Sequence, residues 1–442
     1  MQRKVCFVPI LVCLIRPPGV ILCRKSTSLA PSTRWGLINS LCQAVKILSS
    51  ILDDDQQFYN EDTNEGTPTD EGASKQHFVV SQEFRDAFAC HLYMLFSAMF
   101  FMESEAKIGS GLKAGGRRAE SQEGDETVAM RASCAESMLV AAKSMGQNRN
   151  KLWKRGVPDD TIVVLPCRIS YQMLESATGV LARKAASGDT ALAMIAATVD
   201  SCESLLGTIL AALMDMMHSY EHMASICAEL CCMVSETPTN RLAIELVKEF
   251  GRLETHGQTE GNSGKASGIK NVAPFIWELA LRRPRLVLAN ISHLLPHLDS
   301  EPYCLRSAIV TSLGHIVEHI GNCLRQLDSQ DIPMEDIESS RPNLEKSRGA
   351  LLDILEERSH DVSSYTRSAV LKAWISLTQS GTLPVERVIP VTVMAIDRLQ
   401  DKTVIVRKQS LQVNSQFLSI ISPLLILILT ITFVAPHDFA GK

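Results

Sequence analysis

Several clusters in this 442-residue chain combine residue types and spacings that could do chemistry. His218-Ser219-Tyr220-Glu221-His222 matches H-x-x-E-H, the inverted zinc-protease pattern. On one continuous helix both histidines would share a face, and Glu221 would serve as general base beside a bound Zn²⁺. The pattern fixes only three positions, no third ligand is identifiable, and the surrounding LMDMMHSYEHMASICAELCCM reads as an ordinary helical segment. Gly261 to Ala266 (GNSGKA) has the outline of a phosphate loop. Thr259 stands where the first glycine belongs, however, Ala266 removes the Mg²⁺-binding hydroxyl, and no strand precedes it, so this stretch reads as linker. His222, Cys227, Cys231 and Cys232 can be drawn as metal ligands, but without a paired C-x2-C elsewhere they read as core and surface positions of an apolar helix. No G-x-S-x-G occurs. No catalytic, cofactor-binding or metal-binding residue is assigned.

One cluster has binding chemistry. KSMGQNRNKLWKR carries Lys143, Arg149, Lys151, Lys154 and Arg155 with no acid, and Trp153 among them. Clustered cations release counterions from a phosphate backbone and an indole can stack on a base, which makes this the candidate DNA contact. The plainer reading is a solvated basic turn whose tryptophan packs inward, since Asp159 and Asp160 follow at once.

The remaining pattern is architectural. D-x5-R occurs twice, Asp361 to Arg367 and Asp401 to Arg407, with the arginines ~40 residues apart, the period of HEAT and armadillo repeats. Each pair sits at the turn of a helix-turn-helix unit. Leu351, Leu352, Ile354 and Leu355 form the apolar side of a first helix, Asp361-Val362-Ser363 the turn, and Val370, Trp374 and Leu377 the stripe of a second. Gly381 and Pro384 break the pattern. Val393, Ile396 and Leu399, then Asp401-Lys402-Thr403, then Val404 to Arg407 repeat it. The aspartate is expected to cap the following helix by accepting its free N–H groups. The arginine, a turn and a half later, is placed to reach a neighbouring repeat's turn. Arg306 lies in a third copy, with Asp299 or Glu301 as its acidic partner. These five residues, Asp361, Arg367, Asp401, Arg407 and Arg306, are expected to stabilise the repeats.

The elements that position these residues are helical throughout. Hydrophobic residues make up 45% of the chain but aromatics only 5%, which suits helices packed on Leu, Ala and Met. A net charge of −5 provides no global basic field, so any DNA contact must be a local patch. The 13 cysteines are scattered and mostly within apolar helical stretches, which is reduced, intracellular usage rather than a disulfide framework.

In chain order, residues 1–30 form a signal-like or non-native apolar start, with Arg3 and Lys4 before the run Val5 to Ile15; the non-native reading fits the intracellular character downstream. Residues 31–253 read as helical repeats interrupted by polar inserts at 53–75 and 103–127. Residues 254–270 read as a flexible linker, 271–412 as the strong repeats, with a polar insert at 322–346. Residues 413–442 form an apolar tail whose FLSIISPLLILILTITFV, Phe417 to Val434, reaches the lower length limit of a membrane span. It reads as a tail anchor or as a run-on beyond the native repeat, the latter because it begins in mid-repeat. The expected fold is therefore an all-α HEAT/armadillo-type solenoid of stacked helix pairs with polar loop insertions.

WELALRRPRLVLANISHLLPHLDSEPYCLRSAIV, then LLDILEERSHDVSSYTRSAVLKAW, then LPVERVIPVTVMAIDRLQDKTVIVRKQSLQ resemble the condensin complex subunit 1 family. The HDV-x3-TRS core, the LP after it and the RL-x-DK-x-V-x-VRK string occur in the family's order. The resemblance is good over Phe275–Gln412 and weaker over Thr198–Leu253. It implies a HEAT-repeat scaffold without catalytic activity that binds the kleisin subunit bridging an SMC ATPase pair, helps engage DNA, and acts in mitotic chromosome condensation. It further implies residence in the nucleus and on chromosomes, with cytoplasmic location in interphase. The alternatives are a HEAT adaptor outside condensin I, of condensin II or transport type, and a tail-anchored membrane protein with a helical cytosolic domain.

Overall fold

The computed structural model describes residues 31–54, 80–112, 121–153, 159–175, 186–233, 241–253, 263–300, 302–329 and 334–434. Every regular element among them is helical, and the fold is all-α, of HEAT type. The chain divides into two compact units, residues 1–216 with 233–242, and residues 217–232 with 243–442. The apolar start at 1–30 and most of the acidic insert at 53–75 lie outside the described residues.

In the first unit, α1 (Pro31–Asp53), α2 (Gln82–Leu112), α3 (Ser121–Gln147), α6 (Leu165–Glu175) and α7 (Ala186–Ser201) make the stack, with single-turn helices α4 (Arg149–Leu152) and α5 (Asp160–Val163) between them. α1, α3 and α7 lie side by side in one layer, and α2 and α6 in the other. Helical periodicity decides which faces meet. Cys42, Val45, Ser49 and Leu52 form the buried stripe of α1, and Phe88, Leu92, Leu95 and Met99 that of α2. Small residues on α3 (Ala135, Ala141, Ala142) let neighbouring helices approach on both sides. α1 is also long and apolar enough to cross a membrane by length and composition alone, but its buried stripe is used within this unit.

In the second unit, α9 (Met223–Met233) and the end of α10 (Arg241–Gly251) are followed by α11 (Ser263–Val272), α12 (Pro274–Arg282), α13 (Pro284–Ala289) and short 3-10 segments to Asp299. Helices α14 (Tyr303–Ser329), α15 (Met334–Arg358), α16 (Ser364–Gln379), α17 (Val385–Asp397) and α18 (Val404–Val434) then build the regular repeats. α12, α14, α16 and α18 pack in series, each with a partner helix in the second layer. Val370, Trp374 and Leu377 of α16 are fully buried in that series. Gly314 lets α14 approach closely, since a Cβ there would come within 2.9 Å of the Ala373 methyl. α16 ends at Gly381, whose φ of +66° reverses the chain while the amides of Thr382 and Leu383 bond to Leu377 O.

Several boundaries differ from the sequence reading. Residues 103–112, 121–127 and most of 322–346 extend helices, and Ser263–Val272 forms one of its own, whereas 113–120, 254–262 and 330–333 of the stretches read as inserts or linker lie outside the described residues. Composition flagged Gly and charge, yet i→i−4 bonding tolerates both when a helix has already been nucleated by its buried portion. Val393 and Ile396, expected on the packed side of α17, are 54% and 52% exposed; Val391, Met394 and Ala395 are buried instead. Both sets have helical spacing, and only docking against α18 selects between them. Ile354 and Leu399 are half-buried. The boundary drawn at 412 falls inside α18, whose Val413 and Phe417 are buried, and the helix runs unbroken into the apolar tail.

Candidate functional site

The turns of the second unit carry a ladder of arginines. Arg306 on α14 presents Nε and Nη2 to the two carboxylate oxygens of Asp361 at 2.9 and 3.0 Å, reaching the turn of the next repeat. Arg367 on α16 does the same to Asp401, at 2.8 and 2.9 Å. The third guanidinium nitrogen turns back on the arginine's own repeat. Nη1 of Arg306 donates to Ser300 O, and that of Arg367 to Asp361 O at 2.7 Å and Val362 O at 2.9 Å. Arg407 on α18 repeats the backward bonds, to Asp401 O at 2.8 Å and Lys402 O at 3.2 Å, but among the described residues no carboxylate takes its forward face.

Each paired aspartate is itself held. Asp361 Oδ1 accepts from Ser363 N at 2.7 Å, and Asp401 Oδ1 accepts from the Thr403 amide and hydroxyl, both at 3.0 Å. The aspartate thus shapes the turn rather than capping the helix directly. At the first turn the cap is Ser363, whose hydroxyl accepts from Tyr365 N. The aspartate side chains are 4% and 3% exposed and the arginines 12%. In this water-poor setting the Arg367 guanidinium, bidentate on Asp401, holds that carboxyl down from 3.8 to about 2, with Thr403 assisting against burial.

The pairing adds to one expectation. Arg306 pairs across the repeat boundary with Asp361, an acid that its sequence context did not suggest. Asp299 pairs with Arg358 at 3.0 Å, and Glu301 lies outside the described residues. Spacing within one repeat gives no sign of the Asp361 pairing because the pair spans two repeats, with most of α14 and all of α15 between the two residues. A second inter-repeat contact had no sequence signal: Arg387 on α17 reaches Asp353 and Glu356 on α15, at 2.5 and 3.1 Å.

The basic cluster is only partly brought together. Lys143 and Arg149 are exposed on α3 and α4, whereas Lys151 spends its ammonium on Leu52 O at 3.1 Å, closing the C-terminus of α1. Asp53 stands in the same corner, accepting from Ser144 at 2.8 Å and Asn148 at 2.6 Å. Trp153 is half-buried, and Lys154 and Arg155 lie outside the described residues.

The zinc-type motif is broken by the fold. Helix α8 (Leu206–Ser219) ends one residue after His218, Tyr220 to His222 form a turn, and α9 starts at Met223, so the two histidines share no continuous helix face. His218 O instead accepts from Asn271 at 3.0 Å. Cys227 and Cys231 are fully buried, and burial pushes the Cys227 thiol up to about 12 and raises that of Cys231 as well. No group of three or more metal-ligating side chains converges among the described residues. Lys265 of the phosphate-loop look-alike lies within α11.

No family model matches the chain. Curated proteins do. Condensin complex subunit 1 of Xenopus laevis is 29% identical over 286 residues, 64% of this chain. Condensin-1 complex subunit CAP-D2 of Arabidopsis thaliana is 26% identical over 398 residues, 88% of the chain, and the mouse condensin complex subunit 1 is 29% identical over 271 residues. The Arabidopsis match extends well beyond the stretch in which family motifs are legible by eye. The chain spans 20% of the Xenopus protein and 26% of the Arabidopsis one, about a fifth to a quarter of their length. An all-α stack with a repeating aspartate–arginine ladder, matched to these relatives over most of its sequence, is similar to condensin complex subunit 1.

Proposed function

We propose that the chain is a non-catalytic HEAT-repeat scaffold of the condensin complex, docking the kleisin subunit that joins the SMC ATPase pair and acting on nuclear chromatin in mitotic chromosome condensation. The observation that carries this reading is the similarity to condensin subunit 1 relatives over up to 88% of the chain. The ladder supports it physically. Bidentate pairs between successive turns resist shear of one repeat against the next, as a surface that must hold an extended partner requires. In this reading Asp361, Arg367, Asp401 and Arg306 are inter-repeat clamps, and Arg407 is a clamp whose forward face stays open among the described residues. Lys143 and Arg149 are the DNA candidates.

The test is a pull-down from mitotic cells with the full chain as bait, read by mass spectrometry. Co-recovery of a kleisin and both SMC ATPases is the expected result. Recovery of none of them, from bait that circular dichroism shows to be helical, overturns the reading and leaves a HEAT adaptor with other clients. One observation favours a second reading: α18 continues without a break into the apolar run to Val434. Retention in membranes after carbonate extraction would establish a tail-anchored protein.

A further inference from the structure

In the first unit, Cys42 of α1 and Cys134 of α3 face each other with their sulfurs 3.5 Å apart, although 92 positions separate them in sequence. Both side chains are fully buried. Elsewhere, burial among apolar neighbours pushes the thiols of Cys167, Cys227 and Cys304 up, the condition of inert core cysteines. The Cys42 surroundings are different. The contact between the two sulfurs favours one thiolate in the pair, lowering Cys42 and raising Cys134, and Ser137, Ser133 and the Lys46 ammonium add to the lowering at Cys42 against the opposing effect of burial. Lys46 is fixed by Glu136 of α3 at 2.7 Å, so a cation is held one helical turn from the sulfur.

We propose that Cys42 and Cys134 form a reversible oxidation site, at which a hydroperoxide converts the two thiols into a disulfide that staples α1 to α3. The chemistry balances in two steps. The Cys42 thiolate attacks one oxygen of hydrogen peroxide, an S–O bond forms as the O–O bond breaks, and the departing hydroxide takes up a proton as water. The Cys134 sulfur then attacks the Cys42 sulfenic acid, the S–S bond forms, and the S–O bond breaks. The proton of Cys134 leaves with that oxygen as a second water. Closing the sulfurs from 3.5 Å to about 2.05 Å asks for roughly 1.5 Å of movement, within the reach of rotamer adjustment on two packed helices. Access comes from local opening of α1, which has α3 and α2 as its neighbours and leaves Leu37 and Ile47 about half exposed.

The experiment treats the reduced full chain with hydrogen peroxide at a dose that consumes free cysteine in a parallel tube. The protein is then alkylated in denaturant and digested without reductant for mass spectrometry. The expected product is a Cys42–Cys134 linked peptide, lost on adding dithiothreitol, with the oxidised chain melting about 5 °C higher because a long loop is closed in the unfolded state. In Cys134→Ser, dimedone should label Cys42 and the link should be absent. Full alkylation of both cysteines in the treated wild type, or a link from Cys42 to a different cysteine, overturns the proposal. The wild-type result decides even where the variant fails to fold.

Discussion

Replacing Arg367 with alanine removes the clamp between the α16 repeat and the Asp401 turn, and the structure sets the size of the effect. Asp401 keeps its hydrogen bonds from Thr403 but loses both guanidinium bonds while remaining 3% exposed. Leaving this buried carboxylate with only the Arg398 guanidinium, 4.0 Å away and not hydrogen-bonded to it, costs about 3 kcal/mol, the lower end for a broken buried pair. Two turn carbonyls, Asp361 O and Val362 O, lose their donor as well. For a unit of roughly 200 residues this corresponds to a fall in Tm on the order of 10 °C. Arg407→Ala is the internal control. It removes the same backward bonds, to Asp401 O and Lys402 O, with no carboxylate to strand, so about 1–2 kcal/mol is expected. The assay is thermal melting by circular dichroism of both variants beside the wild type. A double-mutant cycle with Asp401→Ala then isolates the pair, because the loss of the weaker Arg398 contact to Asp401 is common to both arms that carry Asp401→Ala. An Arg367→Ala melting temperature equal to the wild type, or to that of Arg407→Ala, would refute the ladder as a structural clamp.

Three further outcomes follow from particular contacts. Asp401 has a folded-state pKa lowered from 3.8 to about 2, so its contribution, on the order of 2 kcal/mol, is fully present above pH 3.8 and is lost as pH falls through 2; acid titration of the melting temperature should lose this limb in Arg367→Ala. Trp374 is fully buried between stacked repeats, and Trp374→Ala should cost about 3–5 kcal/mol, read as a lowered denaturant midpoint with little change in helical signal before the transition. Gly381→Ala, at a φ of +66°, should cost about 1 kcal/mol although nothing lies within 4 Å of the added methyl; an unchanged denaturant midpoint would show that the turn relaxes instead.

The repeats are legible because helix pairing writes a periodic signal. The apolar stripe of α16 and the D-x5-R period locate two turns, and the direction of each arginine toward a neighbouring repeat follows from its place in the helix. What the sequence lacks is the partner across the repeat boundary. Arg306 meets Asp361, 55 residues on, and Arg387 meets Asp353 and Glu356, because stacking brings together residues that chain distance keeps apart. The same limit applies to α17, where two apolar stripes of equal periodicity exist and only docking buries Val391 and Met394 while leaving Val393 and Ile396 outside.

Charge and motif strings show the converse. H-x-x-E-H is three letters whose meaning depends on an unbroken helix, and the helix ends at Ser219. The basic string at Lys143 loses Lys151 to a helix terminus, because a free backbone carbonyl competes for the same cation that a phosphate would. The sequence by itself determined the helical class, the period and the family likeness, all of which are local or additive along the chain. The tertiary structure decided the pairings, Arg306 with Asp361 and Cys42 with Cys134, because close-packed contacts depend on which helices lie side by side, and that is settled by the whole core at once.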